Sequence, residues 1–569
     1  MGKKGFLSNV QGYWDRTKTL TKRHARLVEG VVEGVIAAVL LSLSLYVLLY
    51  FISGPAVAFF HSDCADSLLW AQATVESGEL LTEQFHYAAL LPFGSPLWMV
   101  PVLKIFGYTM TAQNVSMAIF AVLFVFAAYF MFRAMKWNTA ASAGSTFLLV
   151  MLLSGSVKLR EIMWQHVIYY SLGLLFLMLL LNLYLRLADC IRHMAQNKRT
   201  RKDYIRFSLL AVALFALCIG CGLDGMQILV LCVVPVIGSS FVVAFLNGNA
   251  KFRSHEVLGK YLLCGLLGVG ALIGLMLIPK LTHGGKIEAA YENGFSVWTP
   301  MNTWWEHIEG FLTEYLNLFG VDITSEIPLF TVSSVFTLLQ LVAALIVLVC
   351  PILLLLRYRK LNRTNAQIVA WTHCILSCIL MLGYICGALA MANWRLVPMV
   401  GSCIIATLVY LRELWDDKAF QRRFAIVLLA ILAVTALHHS KTILDLPNNA
   451  GDNQKYIAIT QELAEKGYTK GYATFWHAST ATLLSDGEVD ISTVLADEYG
   501  VRPRYYQTMD HWFESQEGRE NYFLMLTEEE FGLVSASEYW LQLMDTNPWI
   551  DIIQTEGFLI LVFEYNPVA

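Results

Sequence analysis

Eleven apolar runs dominate this chain, near residues 28–54, 113–132, 139–154, 167–185, 207–222, 227–247, 261–279, 331–356, 366–388, 396–411 and 424–440. Each approaches or exceeds the ~20 residues a helix needs to cross the hydrocarbon core of a bilayer. Repetition of such runs leaves few folds open, because in lipid every backbone N–H and C=O must be bonded inside the protein. The expected fold is a polytopic α-helical membrane protein of about 11 transmembrane helices. Composition agrees: 57% of the residues are hydrophobic, 15% are charged, and the mean hydropathy is +0.55. That is too apolar for a soluble protein of 569 residues.

The connecting loops alternate in charge. Segments 1–27, 133–138, 186–206, 248–260, 357–365 and 412–423 hold 27 of the 40 Lys and Arg. The opposite loops carry few, chiefly Lys104, Lys158, Arg160, Lys280, Lys286 and Arg395. Lys and Arg bias sets orientation, so the basic side is read as cytoplasmic and the N-terminus as inside. An odd number of passes then leaves the C-terminus extracytoplasmic. Residues 1–27 precede an apolar run too long for a signal-peptide core, which points to a retained first helix. Ten of the 11 cysteines lie in or beside apolar runs, so no disulfide framework is expected.

The organisation expected is a basic N-terminus (1–27), a transmembrane domain (28–440) with external loops at 55–112 and 280–330, and a tail (441–569) of different character. The tail holds 21 acidic against 7 basic residues and no cysteine. "YIAITQELAEKG" has the spacing of an amphipathic helix ending at Gly467. "KGYATFW", "EVDISTVL", "NYFLMLT", "WIDIIQ" and "GFLILVFEY" read as strands, and "SASEYWLQLM" as a helix. "TEGF" suggests a hairpin turn, and "LPNNAGDNQ" (446–454) is the candidate hinge. The tail is therefore expected to be an extracytoplasmic α/β domain. His477, in "TFWHAST", is read as a strand end followed by a helix cap.

Charges that intrude on the apolar runs gather where spans reach the outer face. They are Asp63 and Asp66 after the first run; Lys158, Arg160, Glu161 and His166 between the third and fourth; Asp224 between the fifth and sixth; and Arg395 before the tenth. Ionised groups at a membrane boundary are expensive unless paired or wetted, and mark a functional cavity. Glu29 and Glu33, near the inner end of the first run, read as interfacial. Asp63 and Asp66 are three apart, so a helix places them on one face. The helical apolar spacing of "SLLWAQATVESG" suggests an amphipathic helix along the membrane surface, ending at Gly78. Two carboxylates so placed share a proton, repel, or hold a divalent cation. Equally, acids suit a helix N-terminus, and Ser62 or Asp63 could simply cap it.

The stretch from 59 to 107 resembles the first external loop of the GT-C superfamily of membrane glycosyltransferases, which includes protein O-mannosyltransferases and aminoarabinose transferases. That pattern is an acid after the first span, a helix ending in a Glu-Ser-Gly-like turn, and a Pro-containing return. Here these are Asp63, "ESG" at 76–78 and "LLPFGSPLWMVPVLKIFG" at 90–107. Ungapped spacing from the turn falls on Asp63 rather than Asp66. "SGSVKLREIMWQHVIYYS" resembles the second external acidic loop, which makes Glu161 the partner acid and His166 a helper. "GCGLDGMQ" occupies the place of a Thr-Lys-Gly-Pro-like turn, with Asp224 where the family has a base. "NWRLVPMV" resembles an Arg-Tyr-Leu-x-Pro segment, with Arg395 and Pro398 matching and Leu396 in place of Tyr.

The resemblance implies transfer of a sugar from a polyprenyl-phosphate carrier to an extracytoplasmic acceptor. Asp63 would be the general base that takes the acceptor's proton. The departing lipid phosphate would be met by Arg395, then by Lys158 and Arg160. Asp66 and Glu161 would orient the acceptor or, with Asp63, hold a divalent cation such as Mg or Mn. His61, His86 and Tyr87 could touch sugar hydroxyls or simply pack, as could His166 and Asp224. Trp304 and Trp305 read as interfacial anchors.

There is no nucleotide fingerprint and no zinc pattern. "NKRTRK" suits anionic lipid better than nucleic acid. A transporter or flippase would place polar groups near the bilayer midplane in matched halves, and neither is seen. A scaffold with an acidic docking tail, or an envelope-polysaccharide polymerase or ligase, are the other readings.

Overall fold

The computed structural model describes residues 3–197, 200–247, 255–281, 286–287, 297–326, 330–361, 363–515, 521–546 and 548–568. The first helix, α1 (Lys3–Ser53), is unbroken for 51 residues. Its sequence contains no proline, so the basic N-terminus and the first apolar run form one rod that stops only at Gly54-Pro55. Next come α2 (Ser62–Ser77), α3 (Pro96–Phe106), α4 (Met110–Ala134), α5 (Thr139–Leu152), α6 (Val157–Trp164), α7 (Tyr169–Gln196) and α8 (Arg201–Leu223). The later long helices are Gly225–Leu246, Glu256–Leu281, Val332–Leu356, Thr364–Cys386, Asn393–Trp415 and Ala419–Leu444. Among the described residues, 10 helices are long and apolar enough to cross a membrane. The bent pair α5–α6 makes an eleventh if counted as one span.

That pair turns through 114°. The turn has a local cause. Ser156 Oγ accepts from Leu159 N at 3.1 Å and starts a new helix. Gly155 lies against the His439 ring, where an added Cβ would come within 2.4 Å of it. The chain after the third apolar run therefore turns sharply away from α5 as α6, carrying Lys158, Arg160 and Glu161. At the opposite end, Glu33 accepts from Asn138 Nδ2 (2.7 Å) and Thr139 N (3.3 Å), so this interfacial acid pins the start of α5.

Expected as a surface helix, α2 is buried on nearly all sides. The C-terminal domain covers the face that would otherwise meet water. This domain is a six-stranded sheet in the order β5-β4-β3-β6-β8-β7. Outside it, β1 (His86–Tyr87) and β2 (Lys286–Ile287) pair in parallel; its own strands are β3 (Lys470–Thr474), β4 (Asp490–Asp497), β5 (Gly500–Pro503), β6 (Tyr522–Thr527), β7 (Trp549–Thr555) and β8 (Phe558–Phe563). The central β4, β3 and β6 run parallel, and the outer pairs are antiparallel. Helices Gln454–Glu465 and Phe475–Leu484 bury Ile459, Leu463 and Ala478 on one face; Val534, Trp540 and Leu543 pack on the other. The "TEGF" hairpin turns through Glu556 and Gly557, both at positive φ (51° and 79°), as a tight right-twisted hairpin requires.

The segment expected to hinge is tied down. Asn453 Nδ2 donates to Val57 O (2.7 Å) and Phe60 O (2.8 Å), and Tyr50 OH donates to Leu446 O (2.9 Å). Of the loop expected to be external at 280–330, residues 282–285, 288–296 and 327–329 lie outside the described residues. Its helix Trp304–Leu318 packs beside the segment leading to Arg395, with His307 Nδ1 2.7 Å from Ile385 O. Trp304 donates to Thr299 O, while Trp305 stays exposed.

Candidate active site

The site is built on the N-terminus of α2. Neither expected cap is used as a cap. The N-cap is His61, without a side-chain bond; Ser62 Oγ instead donates to Phe475 O (2.5 Å) and lies 3.1 Å from Thr480 Oγ1. Asp63, in the first helical turn, is half-buried, and its carboxylate makes no hydrogen bond or ion pair among the described residues. One turn on, Asp66 is buried and lies 3.6 Å from His166 Nε2. Burial pushes the Asp66 carboxyl up to about 6; His166 opposes the rise and the Asp63 charge adds to it.

Helix α6 and the residues after it supply the partners. Glu161 receives Lys158 Nζ at 2.8 and 2.7 Å and faces His61 Nε2 at 3.3 Å. Although burial raises it, His61 and Lys158 hold the Glu161 carboxyl below its ordinary value. His61 in turn is pushed up, against its own burial, by Cys64 and Glu161. The two loops are thus cross-linked by reciprocal pairs, His61 with Glu161 and Asp66 with His166. Lys158 Nζ also sits 4.9 Å from the Trp394 ring, which brings the segment before Arg395 to the same place. Arg395 is buried in the turn leading to helix Val397–Trp415, the most enclosed of the spans. Arg160 points the other way. Its Nη1 donates to Ser154 O (3.1 Å) and its guanidinium lies over Phe51 (5.7 Å), bracing the α5–α6 turn. Burial lowers it to about 10, still charged at neutral pH.

Asp224 lies elsewhere. Its Oδ1 accepts from Phe93 N (2.7 Å) and Gly94 N (3.1 Å), so it clamps the Pro-containing return before α3. Burial raises this carboxyl to about 8. Tyr87 is fully buried against Phe85, its OH accepting from Thr82 N at 3.1 Å. His86 is occupied by the C-terminal domain, with Nε2 2.7 Å from Asp510 Oδ1. Backbone bonds flank it: His86 N donates to Thr508 O (3.0 Å) and Gln507 N to His86 O (2.7 Å). None of these three side chains belongs to the Asp63 cluster.

The C-terminal domain contributes residues that no motif marked. Arg504 lies with its guanidinium against the rings of Phe475 (4.6 Å) and Tyr506 (4.8 Å) and feels the charges of Asp63 and Asp66. Gln507 Oε1 accepts from Trp70 Nε1 at 2.6 Å, and its amide also bears on Asp66. Trp476 lies 6.3 Å from His61, ring to ring. Within the domain, His477 joins Tyr456 OH (2.7 Å) and Glu530 (3.8 Å), so the helix start after β3 carries a buried polar cluster as well as a cap position.

A divalent cation does not fit the three acids as placed. Among the described residues no three His, Cys, Asp or Glu side chains converge as a metal site. Glu161 is committed to Lys158 and His61, and Asp66 faces His166. An apolar groove of about 430 Å³ opens between α1, α5 and the last two spans, lined by Leu40, Trp137, Phe147, Leu408 and Leu437. It reaches Arg412 and Trp415 on the basic side, so it can take a hydrocarbon chain but not the reacting group.

No family model and no curated protein matches the chain. Solved structures do. ArnT from Cupriavidus metallidurans bound to undecaprenyl phosphate superposes with a TM-score of 0.52, at 12% identity, over 95% of this chain and 98% of its own. The Archaeoglobus fulgidus oligosaccharyltransferase in complex with Zn and sulfate gives 0.50, at 12% identity, over 94% of this chain and 73% of that one. At such identity the likeness is one of fold. The chain has the GT-C fold, a helical membrane bundle carrying a C-terminal domain.

Proposed function

We propose that this protein is an integral-membrane glycosyltransferase that moves a sugar from a polyprenyl-phosphate carrier to an extracytoplasmic acceptor. The observation that carries the reading is the state of Asp63. Glu161 and Asp66 each lie within 4 Å of a basic partner, whereas the Asp63 carboxylate makes no hydrogen bond or close ion pair among the described residues and stays half-exposed. A general base needs an accessible, ionised carboxylate able to reach the attacking hydroxyl. The fold shared with the undecaprenyl phosphate-bound ArnT supports a lipid-phosphate carrier.

In this reading the acceptor hydroxyl gives its proton to Asp63 while its oxygen attacks the anomeric carbon. The bond from that carbon to the carrier phosphate breaks, and the phosphate leaves with the electron pair. Arg395, with Lys158 beside it through Trp394, meets the developing charge on the phosphate. Arg160 braces α6 from within rather than touching the substrate. Glu161 holds Lys158 and His61 in place, and Asp66 with His166 orients the acceptor. No step calls for a metal. The basic loops are taken as cytoplasmic, which sets the site and the C-terminal domain at the outer face.

The test is transfer of radiolabelled sugar from a panel of polyprenyl-phosphate donors by the protein in proteoliposomes. Product with at least one donor supports the reading. Its absence with every donor, alongside transbilayer movement of the intact carrier, would favour a flippase.

A further inference from the structure

We propose that Arg504 is an oxyanion-binding residue, held by the C-terminal domain against the N-terminus of α2 to take a phosphate or carboxylate group of a substrate. Its guanidinium lies against two rings that meet edge to face, Phe475 at 4.6 Å and Tyr506 at 4.8 Å. Its N–H donors meet no side-chain or carbonyl acceptor among the described residues, and it is half-buried. A guanidinium held on aromatic rings with its donors unspent is a planar fork matched to two oxygens of a carboxylate or phosphate.

Asp63 and Asp66 act on Arg504 through charge without taking its guanidinium donors, which leaves the fork open to an oxyanion. The placement on the sheet points the same way. Arg504 follows β5, and its N donates to Thr493 O of β4 at 3.2 Å, level with the C-terminal end of β3. Parallel sheets bind ligands outside the carboxyl ends of their strands. In this domain those ends face α2, where Phe475 O receives Ser62 Oγ. The seam is stiff: Gln507 is held at a positive φ of 59° by its bonds to Trp70 and His86. Arg504 is therefore pre-positioned.

The identity of the anion rests on the glycosyltransferase reading, which offers two sources, the carrier's phosphate or an acidic group on the acceptor. The full-length protein in detergent is titrated with undecaprenyl phosphate and, separately, with inorganic phosphate. Wild type is compared with Arg504→Gln and Arg504→Lys, with the melting temperature as the check on folding. A loss of about tenfold or more in undecaprenyl phosphate affinity in Arg504→Gln, partly restored in Arg504→Lys, assigns Arg504 to the carrier. Unchanged undecaprenyl phosphate affinity, lost inorganic phosphate binding and a raised KM for the acceptor assign it to the acceptor. If Arg504→Gln binds both probes as wild type does and keeps both KM values, the proposal is overturned. Both titrations read out without turnover, so a protein that transfers no sugar defeats the enzymatic reading and still decides this one.

Discussion

Asp63 and Asp66 stand one helical turn apart, yet their surroundings give them different chemistry. Asp63 is half-exposed and uncommitted, while Asp66 is enclosed beside His166 with its carboxyl raised to about 6. Pairs of carboxyls separated in this way divide acid and base roles. Asp63→Asn is expected to lower kcat by about 10²–10⁴-fold, the range for a lost general base, while undecaprenyl phosphate binding is retained. The pH profile of kcat/KM should show an acid limb near 6 from Asp66. His166→Asn removes the group that holds this carboxyl down, so the limb should move to higher pH; an unmoved limb would remove Asp66 from the reaction. The same group has a stability signature. Its folded value lies above the ordinary 3.8, so its contribution is full below that value and is lost as pH rises through about 6. Both acids were legible in sequence as charges at the end of an apolar run. Arg504 was not, because nothing local links "VRPRYY" to a residue more than 400 positions earlier.

Helix α2 was legible in extent but not in setting. Apolar spacing and Gly78, which takes φ +74°, mark where it lies and where it ends. Its polar positions suggested a water-facing side, but apart from Asp63 the polar groups of its first two turns meet protein. Ser67 Oγ donates to Val167 O at 2.7 Å, and Ser62 and Trp70 bond the C-terminal domain. Periodicity cannot tell water from a polar partner. The return loop before α3 depends on a similar contact. Asp224→Ala would strand the amides of Phe93 and Gly94, at a cost of about 1–3 kcal/mol for each buried donor left unpaired, and should lower the melting temperature. Trp70→Phe keeps the packing but loses the 2.6 Å bond to Gln507. It should release the C-terminal domain to limited proteolysis sooner than wild type, and identical digestion would show that the bond does not hold the seam.

At the scale of the whole molecule, the membrane bundle was written plainly in eleven apolar runs, and the C-terminal sheet in its alternating strands and hairpin turn. What linear sequence could not convey is that these two parts share one interface, since the bonds joining residues 50–88 to 446–512 follow no period. Orientation can be read directly: the tail from 441 on has no cysteine, so a single Ser515→Cys at an exposed position, in a background lacking the other reactive thiols, should label only from outside the cell. The central claim is that a lipid-borne sugar meets Asp63 at the rim, with Arg395 on the carrier's phosphate. The direct measurement compares undecaprenyl phosphate binding and sugar transfer in wild type, Asp63→Asn and Arg395→Ala. The account predicts that Asp63→Asn binds the carrier normally and does not transfer, and that Arg395→Ala loses affinity by tenfold or more. Transfer at wild-type rates by Asp63→Asn, or carrier binding unchanged in Arg395→Ala, would contradict it.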